Sequence, residues 1–211
     1  MDDARQERRW TRILAVGVGG QGVVTAARII AETAIGRGIP AIMNEIHGMS
    51  QRGGVVECSL VLGPGASSPM IRARDADLLL ALEPLEALRA APRHASPDGR
   101  MVVYLAENPP PAVSLGGPPM PAVEDILRML CGLAREVWTL APEPAFVSGH
   151  PLRPNLALIG AATRTGALPF DLAAVVACLP QVVQPRFVES NIASLRWGYE
   201  TARCITPNRE V

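Results

Sequence analysis

A glycine-rich segment between an apolar run and a helical pattern constrains the fold of this chain more than any other feature. Residues 13–16 (ILAV) are apolar, which predicts a strand buried on both faces of a parallel sheet. Apolar residues recur at helical spacing over residues 23–31, so we predict a helix packed on that sheet. The turn between them permits positive φ angles and contains Gly17, Gly19, Gly20 and Gly22. The free N–H groups of the first helical turn therefore predict an anion site at the carboxyl end of the strand.

The rest of the chain alternates short apolar runs with helical patterns, which is typical of an α/β protein with a parallel sheet. Further strands are predicted at residues 41–43, 55–62, 76–82, 101–105 and 137–140. Helices are predicted at residues 83–91, 122–134, 155–166, 171–179 and 192–203. A right-handed crossover through the first helix would place the second strand parallel to the first. We therefore predict an α/β fold with three layers, α/β/α, a mostly parallel Rossmann-like sheet and a C-terminal helical segment.

The distribution of charged residues and prolines predicts the domain organisation. Residues 1–11 form a charged tail, residues 12–204 a single domain, and residues 205–211 a short C-terminal tail. The proline-rich segment 107–121 is unsuited to a helix or a strand, and we predict an exposed connection that is either a spacer or a partner-docking strap. The charged N-terminal segment lacks the apolar core of a signal peptide, and no apolar run approaches the ~20 residues of a membrane span. We expect a cytoplasmic protein without a membrane partner.

Charge and cysteine usage exclude several classes of function. The formal net charge is zero, so no clustered basic surface predicts binding to nucleic acid or to an anionic membrane. The sequence contains no lysine, which excludes a Schiff-base lysine. No CxxC pair is present, and the four cysteines lie far apart at Cys58, Cys131, Cys178 and Cys204. We therefore expect reduced thiols and neither a metal site nor an iron–sulfur cluster in this chain.

The spacing of the first glycines also fits a dinucleotide-binding fingerprint. Gly17, Gly19 and Gly22 satisfy GxGxxG between a strand and a helix, and Glu45 stands near the spacing of a ribose-binding carboxylate. A polar, glycine-rich stretch follows Glu45 directly, however, which is not how a nicotinamide site continues. The sequence therefore disfavours this site, and a free-standing NAD(P)- or FAD-dependent oxidoreductase is kept as an alternative.

That polar stretch, residues 44–54 (NEIHGMSQRGG), is predicted to be a second loop at the same sheet edge, next to the first. Ser50 and Gln51 offer neutral hydrogen bonds, Arg52 offers a planar cation for a carboxylate or phosphate, and Gly53 offers an unhindered backbone N–H. We interpret the loop as an anion clamp; the alternative is that Arg52 caps a helix or bridges to Glu45, and that the glycines only make a turn. His47 is either a proton shuttle or a histidine hydrogen-bonded to the backbone.

Together the two glycine loops form a specific joint pattern. The segments GVGGQGVVTAARIIAETAIGRG and NEIHGMSQRGGVVECSL resemble the gamma-type domain of the 2-oxoacid:ferredoxin oxidoreductase family. Within that family they are most similar to the beta subunits of the indolepyruvate-oxidising members. The similarity extends through ADLLLALEPLEALR and MVVYL to NLALIGAA and RFVESNIASLRWGYE, so it covers nearly the whole chain.

The resemblance implies a subunit that completes the active site of a larger enzyme and is inactive alone. The complex would oxidatively decarboxylate an arylpyruvate, acylate coenzyme A and reduce ferredoxin. A larger alpha subunit would carry thiamine diphosphate, Mg²⁺ and 4Fe–4S clusters. The site residues implied in this chain are Gly19, Gly20, Gln21, Gly22, Ser50, Gln51, Arg52 and Gly53. They would face the partner's active centre, or bind coenzyme A phosphates or the substrate carboxylate; His47 is the one candidate for catalysis. The same domain type serves pyruvate, 2-oxoglutarate and phenylglyoxylate enzymes, and a non-catalytic assembly subunit is a further alternative.

Overall fold

A seven-stranded sheet lies at the centre of the computed structural model, which describes residues 10–47, 54–110, 113, 115–117, 119–142 and 144–206, with His47 described by its backbone alone. The strands of this sheet are β1 (Thr11–Val18), β2 (Ala41–His47), β3 (Val55–Leu62), β4 (Ala76–Ala81), β5 (Ala95–Tyr104), β6 (Glu136–Leu140) and β9 (Arg203–Cys204). The short strands β7 (Phe146–Val147) and β8 (His150–Pro151) pair with each other outside it.

The strand order is β2-β3-β1-β4-β5-β6-β9. Strands β1, β4, β5 and β6 are parallel neighbours, whereas β3 runs antiparallel between β1 and β2, and β9 runs antiparallel at the other edge. The prediction of a mostly parallel sheet is therefore confirmed. The second strand runs parallel to the first, as predicted, but the two are not neighbours, because the β2–β3 hairpin inserts β3 between them.

Helices cover both faces of the sheet, which confirms the three-layer α/β/α fold. One face packs against α1 (Val23–Gly36), α4 (Pro154–Arg164), α5 (Leu172–Val182) and α6 (Pro185–Thr201). The other face packs against α2 (Pro84–His94) and α3 (Val123–Cys131). In β1 the alternation of the strand sends Ile13 and Ala15 into the first core and Leu14 and Val16 into the second. Because β1 is buried on both faces, residues 13–16 are all apolar and do not alternate with polar residues.

Glycines allow α4 and α6 to pack with their backbones in contact. A Cβ atom on Gly160 would collide with the carbonyl oxygen of Leu195, and one on Gly198 would collide with that of Ala157. Because this contact fixes the relative position of the two helices, it also fixes where their N-terminal ends lie. In the described part of the chain, no helix is both long and apolar enough to cross a membrane.

Several predicted boundaries differ from the structure. Residues 44–47 are the end of β2, not loop, because they pair with β3. Residues 95–100, which precede the strand predicted at 101–105, also lie within β5. Residues 185–191 belong to α6, which is a single helix that starts seven residues earlier than predicted, and strand β9 has no counterpart among the predictions.

Candidate functional site

The first glycine loop is a tight turn closed by its own glutamine. The Val18 backbone N–H donates to Gln21 Oε1 at 2.7 Å, and the Gln21 N–H donates to the Val18 carbonyl oxygen at 3.1 Å. Gly20 and Gly22 have φ angles of 99° and 86°, which favour glycine. A Cβ atom on Gly17 would lie 2.7 Å from Gln21 Oε1, so this glycine leaves space for the glutamine side chain. The geometry of the loop therefore explains the residues found at positions 17, 20, 21 and 22. The Gln21 side-chain oxygen accepts its hydrogen bond from within the loop.

The second loop begins and ends at the same sheet edge as the first. His47, the last residue of β2, pairs with Val56 of β3, and Val56 pairs with Gly17 of β1. The Gly19 N–H donates to the Gly54 carbonyl oxygen at 2.8 Å, so the first loop contacts the residue that closes the second. Residues 48–53, which include the predicted site residues Ser50, Gln51, Arg52 and Gly53, lie outside the described residues, as does the His47 side chain.

A cavity of about 600 Å³ is lined in part by the first loop. We call it the helix-end cavity, because residues 20–22 line it together with residues from the N-terminal ends of α4 and α6. Among residues 152–191, the polar residues that line it are Arg153 and Asn155 at the start of α4, Gln184 before α6, and Asn191 in the second turn of α6. Its apolar wall includes Leu82, Tyr104, Leu152, Leu156 and Phe187. The volume lies within the range of pockets for small molecules and cofactors.

Three helices begin at this cavity. The residues that precede α1, α4 and α6 are Gly22, Arg153 and Gln184, and none of them caps its helix through a side chain. No acidic residue lines the cavity in the described part of the chain. Because the N-terminal end of a helix carries partial positive charge, the electrostatic field in the cavity favours an anion.

The side chains around the cavity are held by contacts between distant parts of the chain. Asn155 Nδ2 donates to the Gly22 carbonyl oxygen at 3.4 Å, and a Cβ atom on Gly22 would lie 2.7 Å from that nitrogen. The Arg153 backbone N–H donates to Ser194 Oγ at 2.9 Å, while its guanidinium carbon lies 5.5 Å from the Phe187 ring centroid. These contacts join the glycine loop, α4 and α6 into one unit.

Two buried groups near the strand ends have shifted pKa values. Glu83 follows β4, is 1% exposed, and accepts a hydrogen bond from the Glu86 N–H at 2.8 Å as the cap of α2. Burial raises the pKa of Glu83, against the opposing effect of nearby backbone N–H groups. Burial also raises the pKa of Tyr104, whose hydroxyl donates to the Pro142 carbonyl oxygen at 3.1 Å. Tyr104 is therefore a neutral part of the cavity wall.

No group of three or more histidine, cysteine or acidic residues in the described ranges is arranged to hold a metal ion. Burial, with a smaller contribution from Glu45, raises the pKa of Cys58 to about 11, so its thiol stays protonated. Within the described ranges, the chain therefore offers no set of ligands for a 4Fe–4S cluster or a bound Mg²⁺ ion.

The sequence predictions did not include Arg153, Asn155, Phe187 or Asn191. A local signal was present, because Pro154 and Pro185 stand at the first positions of α4 and α6, where proline marks a helix start. Nothing local indicates, however, that these two helix starts meet the first glycine loop more than 130 residues earlier in the chain.

Comparisons of sequence and fold find known proteins that are similar to this chain. The profile of the family described as "Pyruvate ferredoxin/flavodoxin oxidoreductase" matches residues 12–201. Indolepyruvate oxidoreductase subunit IorB of Methanothermobacter thermautotrophicus is 34% identical over 90% of this chain and 96% of its own length. The IorB subunit of Archaeoglobus fulgidus is 32% identical over 90% of this chain and 94% of its own length. Among solved structures, pyruvate oxidoreductase subunit PORC of Thermotoga maritima has a TM-score of 0.66, with 19% identity over 94% of this chain and 99% of its own. At that identity the likeness shows the fold alone.

Proposed function

Because this chain belongs to the pyruvate ferredoxin/flavodoxin oxidoreductase family, we propose that its complex oxidises an aryl 2-oxoacid such as indolepyruvate. The family expected from the two glycine loops is confirmed, and the chain is the small subunit of a 2-oxoacid:ferredoxin oxidoreductase of the indolepyruvate type. It acts in a complex with a larger partner subunit. The observation that carries the choice of substrate is the match to two IorB subunits over at least nine-tenths of both lengths.

In the proposed reaction the aryl 2-oxoacid loses carbon dioxide, its acyl group is transferred to the thiol of coenzyme A, and two electrons reduce ferredoxin. Since the described residues include no ligand set for Mg²⁺ or a 4Fe–4S cluster, we assign these groups and thiamine diphosphate to the larger subunit. We also propose a cytoplasmic location, which the four free thiols support.

The role proposed for this chain is to complete the partner's active centre with an anion-binding edge. Gly19, Gly20, Gln21 and Gly22 would form one part of this edge, with the backbone N–H groups of Gly20 and Gly22 directed to the ligand, since those of Gly19 and Gln21 donate within the chain. Ser50, Gln51, Arg52 and Gly53 would bind a coenzyme A phosphate or the substrate carboxylate. The contact between Gly19 and Gly54 supports this arrangement, because it brings the second loop's end to the first loop. His47, whose backbone ends β2 at the same edge, is the residue of this chain that we propose to move a proton if the chain takes part in catalysis.

Reconstitution with the larger subunit tests the substrate. We expect indolepyruvate and phenylpyruvate to give a kcat/KM for ferredoxin reduction at least tenfold higher than pyruvate or 2-oxoglutarate, and the chain alone to give no reduction. A preference for pyruvate or 2-oxoglutarate would contradict the aryl assignment. Micromolar binding of NAD, NADP or FAD to the isolated chain, abolished by Gly20→Ala, would instead support a free-standing dinucleotide enzyme.

A further inference from the structure

We propose that strand β2 is a docking edge, and that a strand of the larger partner subunit pairs with it beside the second loop. The identity of the occupant rests on the proposed function, which places residues 50–53 against that subunit. The edge itself follows from the strand order. β2 (Ala41–His47) is the last strand of the sheet, and no strand in the described part of the chain pairs with its outer side.

The first support is the length and regularity of this edge. β2 has seven residues and pairs with β3 in one unbroken register from Ala41 to His47. It contains no proline, lysine or bulge, which are features that keep an edge strand from pairing with another chain, and Glu45 is its one acidic residue. The opposite edge of the sheet is formed by β9, which has only two residues. β2 is therefore the edge that can accept a further strand.

The second support is the direction of the backbone groups. The Gly63 N–H donates to the Pro40 carbonyl oxygen at 2.9 Å, which continues the pairing of β3 with β2. Since the bonds to one neighbour recur at every second residue of an antiparallel strand, the backbone groups of Ala41 and Met43 point to the outer side of β2. An added strand would exchange main-chain hydrogen bonds with them, as in β-augmentation.

The third support is a part of the sheet face that α2 and α3 leave uncovered. On the opposite face, the first core includes Cys58 and Leu60 of β3, and Met43 of β2 packs against it. Among the described residues, the second core includes none from β2 or β3. Ile46 lies on this second side, opposite Glu57, and is 55% exposed. A strand paired with β2 would bring a side chain next to Ile46 and cover it.

The position of β2 favours the larger subunit as the occupant. Ile46 is four residues before Ser50, and four residues of chain span at most about 14 Å. A subunit that contacts residues 50–53 therefore also reaches the end of β2. A second copy of this chain on the same edge would occupy the space in which that subunit binds.

Hydrogen–deuterium exchange of the reconstituted complex tests the pairing. We expect the outward amides of residues 41–47, those of Ala41 and Met43 among them, to exchange at least tenfold more slowly in the complex than in the chain alone. Unchanged exchange at residues 41–47 would overturn the proposal. An equal slowing throughout the chain would show general stabilisation and would also overturn it.

Ile46→Lys and Ile35→Lys form a matched pair for a binding measurement. The two isoleucines are similarly exposed, 55% for Ile46 and 54% for Ile35, but Ile35 lies at the opposite end of α1 from the first loop. We expect Ile46→Lys to raise the dissociation constant between the two subunits at least tenfold, because lysine on an edge strand opposes pairing. Ile35→Lys should leave the constant within twofold of the wild type, and equal effects of the two variants would overturn the proposal.

Two controls complete the test. If Ile46→Lys lowers the unfolding temperature of the chain, Ile46→Thr keeps the β-branched shape, and we expect weaker binding at an unchanged unfolding temperature; wild-type affinity in that variant would contradict the proposal. A dimer of the isolated wild-type chain that Ile46→Lys dissociates, measured by sedimentation, would place a second copy on β2 and overturn the assignment to the larger subunit. These experiments measure binding and not turnover, so their failure leaves the test of the aryl 2-oxoacid assignment unaffected.

Discussion

Replacing Gly22 with alanine should destabilise the protein more than the same change at Gly20. Both glycines have positive φ angles, 86° and 99°, so a side chain at either position is strained. Their surroundings differ. A Cβ atom on Gly20 meets nothing within 4 Å, whereas one on Gly22 would lie 2.7 Å from Asn155 Nδ2. The pair therefore separates backbone strain from the contact that joins the first loop to α4.

The expected magnitudes follow from these two contributions. A non-glycine residue in the left-handed region costs about 1–2 kcal/mol, and this applies to both variants. Gly22→Ala must also displace the Asn155 side chain, which loses a hydrogen bond of about 1 kcal/mol to the Gly22 carbonyl oxygen. We therefore expect losses of about 1–2 kcal/mol for Gly20→Ala and about 2–3 kcal/mol for Gly22→Ala.

Urea denaturation followed by circular dichroism measures both losses, and the unfolding temperature should fall by about 2–4 °C for each kcal/mol. Adding Asn155→Ala completes a double-mutant cycle, in which the extra cost of Gly22→Ala should disappear. Equal losses of unfolding free energy for Gly20→Ala and Gly22→Ala, or no coupling between Gly22→Ala and Asn155→Ala, would refute this explanation of Gly22.

Three further predictions test the fold and the buried groups. Gly160→Ala should lower the free energy of unfolding by more than 3 kcal/mol, because the added Cβ atom collides with the Leu195 backbone. Gly36→Ala, in open space at the end of α1, should leave it unchanged or slightly higher, and equal urea midpoints for the two variants would contradict the contact between α4 and α6. Burial raises the folded-state pKa of Glu83 above its unfolded value, so the contribution of this residue to stability is fully present below about pH 4 and is lost as the pH rises through the folded-state pKa. The unfolding free energy of Glu83→Gln relative to the wild type should therefore increase between pH 4 and pH 7, and a difference that does not change with pH would refute this. In native protein at pH 8, iodoacetamide should label exposed Cys204 well before buried Cys58, whose pKa is raised to about 11. Peptide mass spectrometry measures the two labelling rates, and similar rates for both cysteines would contradict the burial of Cys58.

Elements with a strong local pattern could be predicted from the sequence, whereas their arrangement in the sheet could not. The apolar run at residues 13–16 and the helical spacing after it identify β1 and α1 because both signals are local. The direction of β3 has no such signal, since residues 55–62 would be equally apolar in a parallel or an antiparallel strand. Residues 44–47 appeared to be loop because they are polar, but pairing with β3 makes them strand.

The residues of the candidate site could likewise be predicted only where the local sequence determines them. The glycines and Gln21 were found because a turn with positive φ angles requires particular residues at fixed spacing. Arg153 and Asn191 were not found, because nothing in the local sequence distinguishes these two polar residues until the fold brings them to the same cavity. Their position depends on the backbone contact between α4 and α6, which is a property of tertiary packing.

The central claim is that this chain supplies an anion-binding edge to chemistry performed in a larger partner. Arg52→Ala in the reconstituted complex tests it most directly, with Arg37→Ala, at the opposite end of α1 from the first loop, as the control. We predict that kcat/KM for the aryl 2-oxoacid or for coenzyme A falls at least tenfold in Arg52→Ala, a loss of about 1.4 kcal/mol of transition-state stabilisation, and is unchanged in Arg37→Ala. Wild-type turnover by Arg52→Ala at every substrate concentration would contradict the claim and favour a subunit with a purely structural role.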